Sequence, residues 1–471
     1  MANDTYENTY TKIIEPLYGK IRDNNNDNEL LKTNICPHDF WIYSREDFTK
    51  YETYSIDPDG CEDADDAFSI YVENEKLYLA IHIADPTEYI NIKSDLWKDM
   101  IERVVTRYPS NRKPVHMMPE KIMAKASLMD NEYGNIKMAI TILTEIDRFS
   151  FEPIGNVKLL FTKIRVKKEN AFSYLQAAKH FWSNDLLYNG IRISEALKRR
   201  RSEKTRGVVL SEVSNSYPKY STNKPPYLYI DSVSERLTKQ MISEFAIFAN
   251  SFVGEYLKIN FEGKGIFRSC NAKEWLNEVY PDISGQELLN EIIINGIKAE
   301  YVSTFESHDL VGAPEYCHFT SPIRRLSDCV CHYLLKYIHF KNKNIDTIIP
   351  FSNDELSIIS NKCLVVSKAM KQIQYKDIKF RLIHVMNNML LCDNNLMLQY
   401  FITGYTGLFL NIIIFKLGDH NVHMSYTLRV KNHNYVHDPK HLYCVLISKV
   451  KCFEKFDNGT IPELDKQILD I

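Results

Sequence analysis

The chain has 471 residues, 44% hydrophobic and 25% charged, with a formal net charge of −3. This composition is that of a globular protein with a sizeable core, and it excludes a generally basic chain, so any nucleic-acid contact has to come from a local patch. The ten cysteines form no CxxC pair, which excludes the usual zinc spacings and predicts reduced thiols in a cytoplasmic compartment; no apolar run reaches membrane length, and MANDTYENTY lacks a leader's apolar region.

In chain order, Met1–Asp47 is polar, and its tract DNNNDNE at Asp23–Glu29 reads as a loop. Next comes YSIDPDGCEDADD, Tyr54–Asp66, which places Asp57, Asp59, Glu62, Asp63, Asp65 and Asp66 within ten residues. It runs into FSIYV at Phe68–Val72 and, after Asn74–Glu75, into KLYLAIHIAD ending at Asp85. The pattern predicts a hairpin with the acids on the loop that feeds its first strand. Carboxylates held at a strand end suit a hard divalent cation that keeps positions open for water and phosphate. Two such ions clamp both oxygens of an in-line phosphoryl displacement. A solvated acidic turn is the plain alternative. A calcium loop fails on spacing: counted from Asp57, Glu62 falls where Gly is required and Phe68 where Glu is required. His82 alternates within an apolar strand and reads as a core histidine, with Asp85 the more exposed residue at the strand end.

Thr106–Lys121 is a Pro-rich loop carrying Tyr108, and Ile136–Ile146 and Phe151–Ile164 read as two further antiparallel strands. The basic run KRRRSEKTR at Lys198–Arg206 is either a solvated helix end or a wall of salt-sensitive phosphate contacts. Ser234–Ile259 has the apolar spacing of a buried helical stripe, with Ser234 as its N-cap. YCHFTSPIRRLSDCVCH, Tyr316–His332, reads as a helix start: Ser321 caps, Pro322 takes the first helical position, and Arg324 and Arg325 fill the first turn. Arginines on free backbone N–H groups make sense where a phosphate binds, and Asp328 is spaced to hold one of them. Ser352–Glu355 is a capping box opening a long helix or a broken pair that runs to about Met389. From Leu398 the chain turns strand-rich.

The acidic motif with its following HIAD, and HFTSPIRR about 250 residues later, resemble the two signatures of the RNase II family of 3′-to-5′ exoribonucleases, the RNB domain. Leu326 and Ser327 stand where that family has Tyr-Pro. The resemblance implies an α+β fold in three parts. A short N-terminal region, 1–45, precedes an RNB catalytic domain over 46–392, an antiparallel sheet packed with helices around a central RNA channel. A small S1/OB-like β-barrel follows over 396–471. The family's two N-terminal barrels have little room ahead of the acidic motif, a departure from the family's layout that leaves RNA affinity and substrate range open.

Carried over residue by residue, the resemblance assigns Asp57, Asp63, Asp65 and Asp66 to Mg²⁺, with Mn²⁺ as a substitute. Asp65 and Arg324 are the catalytic pair, Arg324 nearest the scissile phosphate and Arg325 more structural. Tyr108 seats the terminal nucleotide, Tyr174 of AFSYLQA lies near the bases, and Glu244 and Asn250 of MISEFAIFAN face the channel. Met370 falls where the family carries a glutamate. The implied activity is hydrolysis of single-stranded RNA to nucleoside 5′-monophosphates by a monomer, or by a chain whose missing RNA-binding domains come from a partner. Three rival readings stay open: a catalytically inactive RNA-binding protein on the same fold, a nuclease acting on DNA, because sugar discrimination leaves no short motif, and a metal-dependent structural module, which Mg²⁺ would stabilise without any product.

Overall fold

The computed structural model describes residues 2–35, 45–180, 182–205, 216–221, 224–272, 274, 292, 297–393, 395–406, 409–429, 441–450 and 464–469. Its first element is the helix α1 (Ala2–Thr9), followed by a turn of π-helix at Tyr10–Ile14 and one of 3₁₀ at Glu15–Tyr18. The Asn/Asp-rich tract expected as a loop is instead part of a helix, α2 (Asn24–Thr33). Asp23 caps it by accepting from the Asn25 amide, and a buried Arg22–Asp27 pair ties it down. Capping and a buried ion pair thus outweigh the low helix propensity of four asparagines.

The central sheet contains β1 (Glu46–Asp47), β3 (Asp66–Glu73), β4 (Lys76–Ala84), β5 (Lys137–Ile146) and β6 (Pro153–Ile164) in the order β1-β6-β5-β4-β3. All its pairs are antiparallel except β1 with β6. Between β1 and β3 lies the short β2 (Ser55–Asp57), which pairs in parallel with β7 (Ala171–Ser173). Every residue of β4 from Leu79 to Ala84 is buried, so the sheet is covered on both faces. On one face Phe68 meets Phe245 edge-to-face at 5.4 Å. The other carries a chain of hydrogen bonds across four strands, Ser69–His82–Thr141–Thr162. Burial pushes the His82 imidazole down to about 3, so it is a neutral core residue, as its strand pattern predicted.

Helices α3 (Asp95–Arg103), α4 (Glu120–Ala126), α5 (Tyr174–His180), α6 (Asp185–Thr205), α7 (Val233–Asn260) and α8 (Leu326–Asn342) surround this sheet. The hairpin β8 (Ser216–Ser221) and β9 (Lys224–Ile230) precedes α7, and the pair β10 (Lys264–Ser269) and β11 (Glu300–Thr304) follows it. Ser232, not Ser234, caps α7, in a reciprocal capping box with Glu235. The glutamate three residues on is the signal that selects it. Asp85, expected at an exposed strand end, is fully buried and ion-paired to Arg45 and to Lys336 (3.0 Å). Burial alone would raise its pKa; Lys336 and Arg45 outweigh that and hold it well below the usual carboxylate range.

Ser352 and Glu355 form the expected capping box, and it opens one unbroken helix, α9 (Asn353–Cys392). Its C-terminal turns pack Leu382, Ile383 and Met386 into a second core with β12 (Leu396–Thr406), β13 (Phe409–Leu417), β14 (His420–Arg429) and β15 (Tyr443–Val450). With β16 (Leu464–Leu469) these make an antiparallel sheet ordered β14-β13-β12-β15-β16. Among the described residues the edge strands β14 and β16 do not pair with each other, so the expected barrel is seen as a five-stranded sheet.

The middle of α9 forms a clasp with the N-terminal residues. The hydroxyls of Tyr10 and Tyr18 each donate to Asp377 Oδ2 at 2.8 Å, the Ser110 amide donates to Tyr10 (2.6 Å), and Arg381 Nε donates to the other Asp377 oxygen (2.9 Å). Around it Tyr6, Ile14, Val115, Tyr220, Met370 and Phe380 form a small separate core. Met370 is therefore a packing residue here. Among the described residues no helix is long and apolar enough to cross a membrane.

Candidate active site

The acidic motif sits where two strands end. Asp57 closes β2 and Asp66 opens β3, and the residues between them loop out over Gly60, whose φ of 78° suits the one residue type without a Cβ penalty. The Tyr54–Phe68 bridge and the bond from the Ala84 amide to the Asp65 carbonyl (2.8 Å) pin the loop's ends to the sheet. The carboxylates thus hang from rigid backbone above the same sheet edge.

The second motif meets them from the far end of the sequence. Asp65 Oδ1 accepts from the Ile323 amide at 2.8 Å and Oδ2 from Arg324 Nε at 3.2 Å. Ser321–Arg324 is not the first turn of a helix, as expected; the helix begins at Leu326. The reason is local. Buried carboxylates take the amides: Asp328 accepts from Ser321 (2.8 Å) as Asp65 does from Ile323. The Arg324 carbonyl and the Leu326 amide bond instead to Thr106 and Val104. The turn that results aims Arg324 at the acids, with Nη2 steadied on Ser321 Oγ (2.8 Å) and the side chain 46% exposed. Arg325 is turned inward and held by Asp328 (2.8 Å), the three-residue pairing its spacing predicted.

These groups line a cavity of about 1400 Å³, which also takes in Tyr108, Tyr174 and Asn250. Tyr108, 40% exposed, donates to Asp63 Oδ2 (3.1 Å), whose other oxygen accepts from Cys61 Sγ (3.2 Å). Asn250 reaches the cavity wall, but its amide bonds Tyr316 and its carbonyl oxygen accepts from the Phe319 amide, so it braces the second motif. Glu244 is not among the lining residues. It is buried and paired with Arg201 at 2.6 Å, which also takes one arginine of the basic run out of any phosphate-binding role. Lys239, His318 and Lys113 line the cavity without having been singled out. His318 stands inside the CHFTS motif, a signal that the emphasis on the following arginines obscured. Tyr301 Oη lies 2.7 Å from its Nδ1, and burial with the nearby arginines keeps its ring neutral.

Burial and mutual repulsion set the charge of the cluster. Asp65 is pushed up to about 8 by burial, against the pull of Arg324. Asp57 is raised by burial and then by Asp66, Asp65 and Asp63, and Asp66 by burial. Asp57 Oδ2 is buried and accepts no hydrogen bond. Withdrawing an acceptor from water with no partner is costly, and an oxygen-only set of this kind is what a hard cation such as Mg²⁺ uses. The donor chemistry therefore fits the ion. Among the described residues no three His, Cys, Asp or Glu side chains converge at ligating distance; Arg324 and Tyr108 engage Asp65 and Asp63 instead.

Comparison with known proteins follows the same division of the chain. The chain is 27% identical to Ribonuclease R of Aquifex aeolicus over 343 residues, covering 63% of this chain and 46% of that protein. It is 26% identical to the exosome complex exonuclease dis3 of Schizosaccharomyces pombe over 341 residues, covering 63% and 34%. The chain thus spans between a third and a half of the length of these relatives. Among solved structures, apo RNase R of Mycoplasma genitalium superposes with a TM-score of 0.71 at 17% identity, covering 98% of this chain and 78% of that one. Yeast Ssd1, described as a pseudonuclease, superposes at 0.64 and 16% identity, covering 90% and 55%. Residues 45–341, the stretch that holds both motifs, match the RNB domain, and the chain belongs to the RNB-domain family of 3′-to-5′ exoribonucleases.

Proposed function

We propose that this protein is a Mg²⁺-dependent hydrolytic exoribonuclease that removes nucleoside 5′-monophosphates from the 3′ end of single-stranded RNA. The observation that carries the reading is the meeting of the two distant motifs: Asp57, Asp63, Asp65 and Asp66 share a cavity wall with Arg324, which touches Asp65. Those four carboxylates would hold the metal, which when bound supplies a water nucleophile at neutral pH and charge neutralisation on the phosphate. Arg324, permanently charged and half-exposed, is free to exchange its contact with Asp65 for the scissile phosphate and to neutralise charge that builds there. Arg325, fixed by Asp328, keeps the turn rigid. Tyr108 offers its ring to the terminal nucleotide and Tyr174 to a base further back, a sequence-tolerant mode of holding a single strand.

The second reading, an inactive RNA-binding protein, is favoured by the contacts that engage two of the acids, Arg324 on Asp65 and Tyr108 on Asp63. The experiment that separates the two uses 5′-labelled single-stranded RNA with Mg²⁺, comparing the native chain with Asp65→Asn. Shortening from the 3′ end that the substitution abolishes supports the nuclease. Intact RNA with both proteins, with binding retained, establishes the inactive binder. A matched DNA oligomer tests sugar selectivity.

A further inference from the structure

The hairpin β8–β9 belongs to neither sequence motif, yet it extends the aromatic lining of the cavity outward. Strand alternation gives it two unlike faces. Tyr220 and Leu228 point to the interior, Tyr220 stacked on Tyr6 at 4.5 Å and Leu228 packed on the second core. Tyr217, Lys219 and Tyr229 share the opposite face. Tyr217 and Tyr229 are cross-strand partners with ring centroids 5.5 Å apart, and Tyr217 is 36% exposed. Cations alternate with these rings. Lys219 Nζ stands 4.6 Å over Tyr229, and Lys239 Nζ stands 5.0 Å from Tyr217 and 5.8 Å from Tyr174. Lys239 and Tyr174 are themselves cavity-lining residues. The series Tyr174–Lys239–Tyr217–Tyr229–Lys219 is therefore continuous from the cavity to the outer hairpin.

The acids beside it are already engaged. Asp231 binds Lys239 through both oxygens at 2.7 Å, and Glu235 caps α7 and accepts from Tyr229 Oη at 2.6 Å. Lys219 has no carboxylate partner among the described residues. Rings at stacking distance with an unneutralised lysine at the far end suit a polymer of flat bases and regularly spaced phosphates. A folded protein partner would call for a broader apolar patch.

We propose that this hairpin face is an outer binding track for single-stranded RNA, stacking bases on Tyr217 and Tyr229 and meeting a phosphate at Lys219; it rests on the RNA-degrading reading above. The track lies beyond the cavity, so only strands long enough to leave the cavity reach it. The test uses the full chain carrying Asp65→Asn, so that RNA is not consumed. Fluorescent oligouridylates of about 4 to about 16 nucleotides, the span of site sizes seen in single-strand grooves, are titrated by anisotropy. Tyr217→Ala and Tyr229→Ala each weaken binding of the longest oligomer roughly ten-fold, as loss of one stack does, and leave the shortest unchanged. Tyr217→Phe, which keeps the ring, restores it. Lys219→Gln lowers the slope of log affinity against log salt by about 0.7 for the long oligomer. Because Lys219 is only half-buried and has no carboxylate partner among the described residues, this variant decides the matter even where a tyrosine replacement fails to fold. Equal effects at all lengths, or none at any length, overturn the track and leave the nuclease reading standing. Absence of RNA binding at every length by the Asp65→Asn chain overturns both.

Discussion

The acid cluster makes the stability of this protein depend on pH and on divalent cations in a linked way. Asp65 is 5% exposed, and burial pushes its carboxyl up to about 8 from an ordinary value of 3.8. The folded state therefore binds more protons than the unfolded one between about pH 4 and pH 8, and stability of the cation-free protein falls as pH rises through that window. Each factor of ten in proton affinity is worth about 1.4 kcal/mol, so keeping Asp65 ionised at alkaline pH costs on the order of 6 kcal/mol. Asp57 adds to this in the same direction. A bound cation opposes the cost only where the carboxylates are ionised. At about thirty times its dissociation constant Mg²⁺ contributes roughly 2 kcal/mol, a shift of about 2 °C in Tm for a chain of 471 residues. Thermal unfolding in EDTA and in Mg²⁺, at pH 5 and at pH 8, checks this. The expected result is a Mg²⁺ shift at pH 8 that nearly vanishes at pH 5, and an Asp65→Asn chain that is more stable than the native one at pH 8 in EDTA but gains less from Mg²⁺. Equal Mg²⁺ shifts at both pH values, or a full shift in Asp65→Asn, would refute the reasoning.

Asp377→Ala leaves the buried hydroxyls of Tyr10 and Tyr18 without their shared acceptor and removes the carboxylate partner of Arg381, which keeps only its bond to the Pro218 carbonyl; it should cost about 3–5 kcal/mol in denaturant unfolding and expose the N-terminal residues to limited proteolysis. Gly254→Ala would bring a methyl group within 2.9 Å of the Glu315 carbonyl, just ahead of the second motif. The expected loss is about 1–3 kcal/mol, with reduced RNA cleavage because the turn carrying Arg324 shifts. Ser352→Ala removes one half of the capping box of α9 and should cost about 1 kcal/mol, read from the denaturation midpoint with RNA affinity unchanged.

Much of this protein was legible in its sequence because two kinds of local signal survive folding. Alternation gave β3, β4, β5 and β6, and the Ser352 box gave the start of α9. The two polar motifs named the groups that share the cavity, since a strand-end cluster of acids and an arginine pair are unusual without a charged ligand. What escaped was set by residues far apart. Asp85 looked exposed because Arg45 and Lys336, its partners, lie 40 and 251 positions away along the numbering. Ser321 looked like a helix cap because Asp65, which takes the Ile323 amide, is 258 residues upstream. Glu244 was assigned to the channel by resemblance alone, and nothing near it in sequence announced Arg201 as its partner. The asparagine tract was misread because propensity was weighed without the buried Arg22–Asp27 pair.

The clasp on Asp377 also bears on the birth of the molecule. Tyr10 and Tyr18 precede Asp377 by 367 and 359 residues. A ribosome adding about 5–20 residues per second needs roughly 20–70 s to travel between them. For that interval the two hydroxyls lack their shared acceptor, and only the Ser110, Val115 and Tyr220 side of the clasp is available to the first turns while the central sheet forms behind them. Their binding is then a late seal, completed only after α9 has left the exit tunnel. A chain stalled before that helix would hold the same first turns without the acceptor and the two apolar side chains, Met370 and Phe380, that close over them.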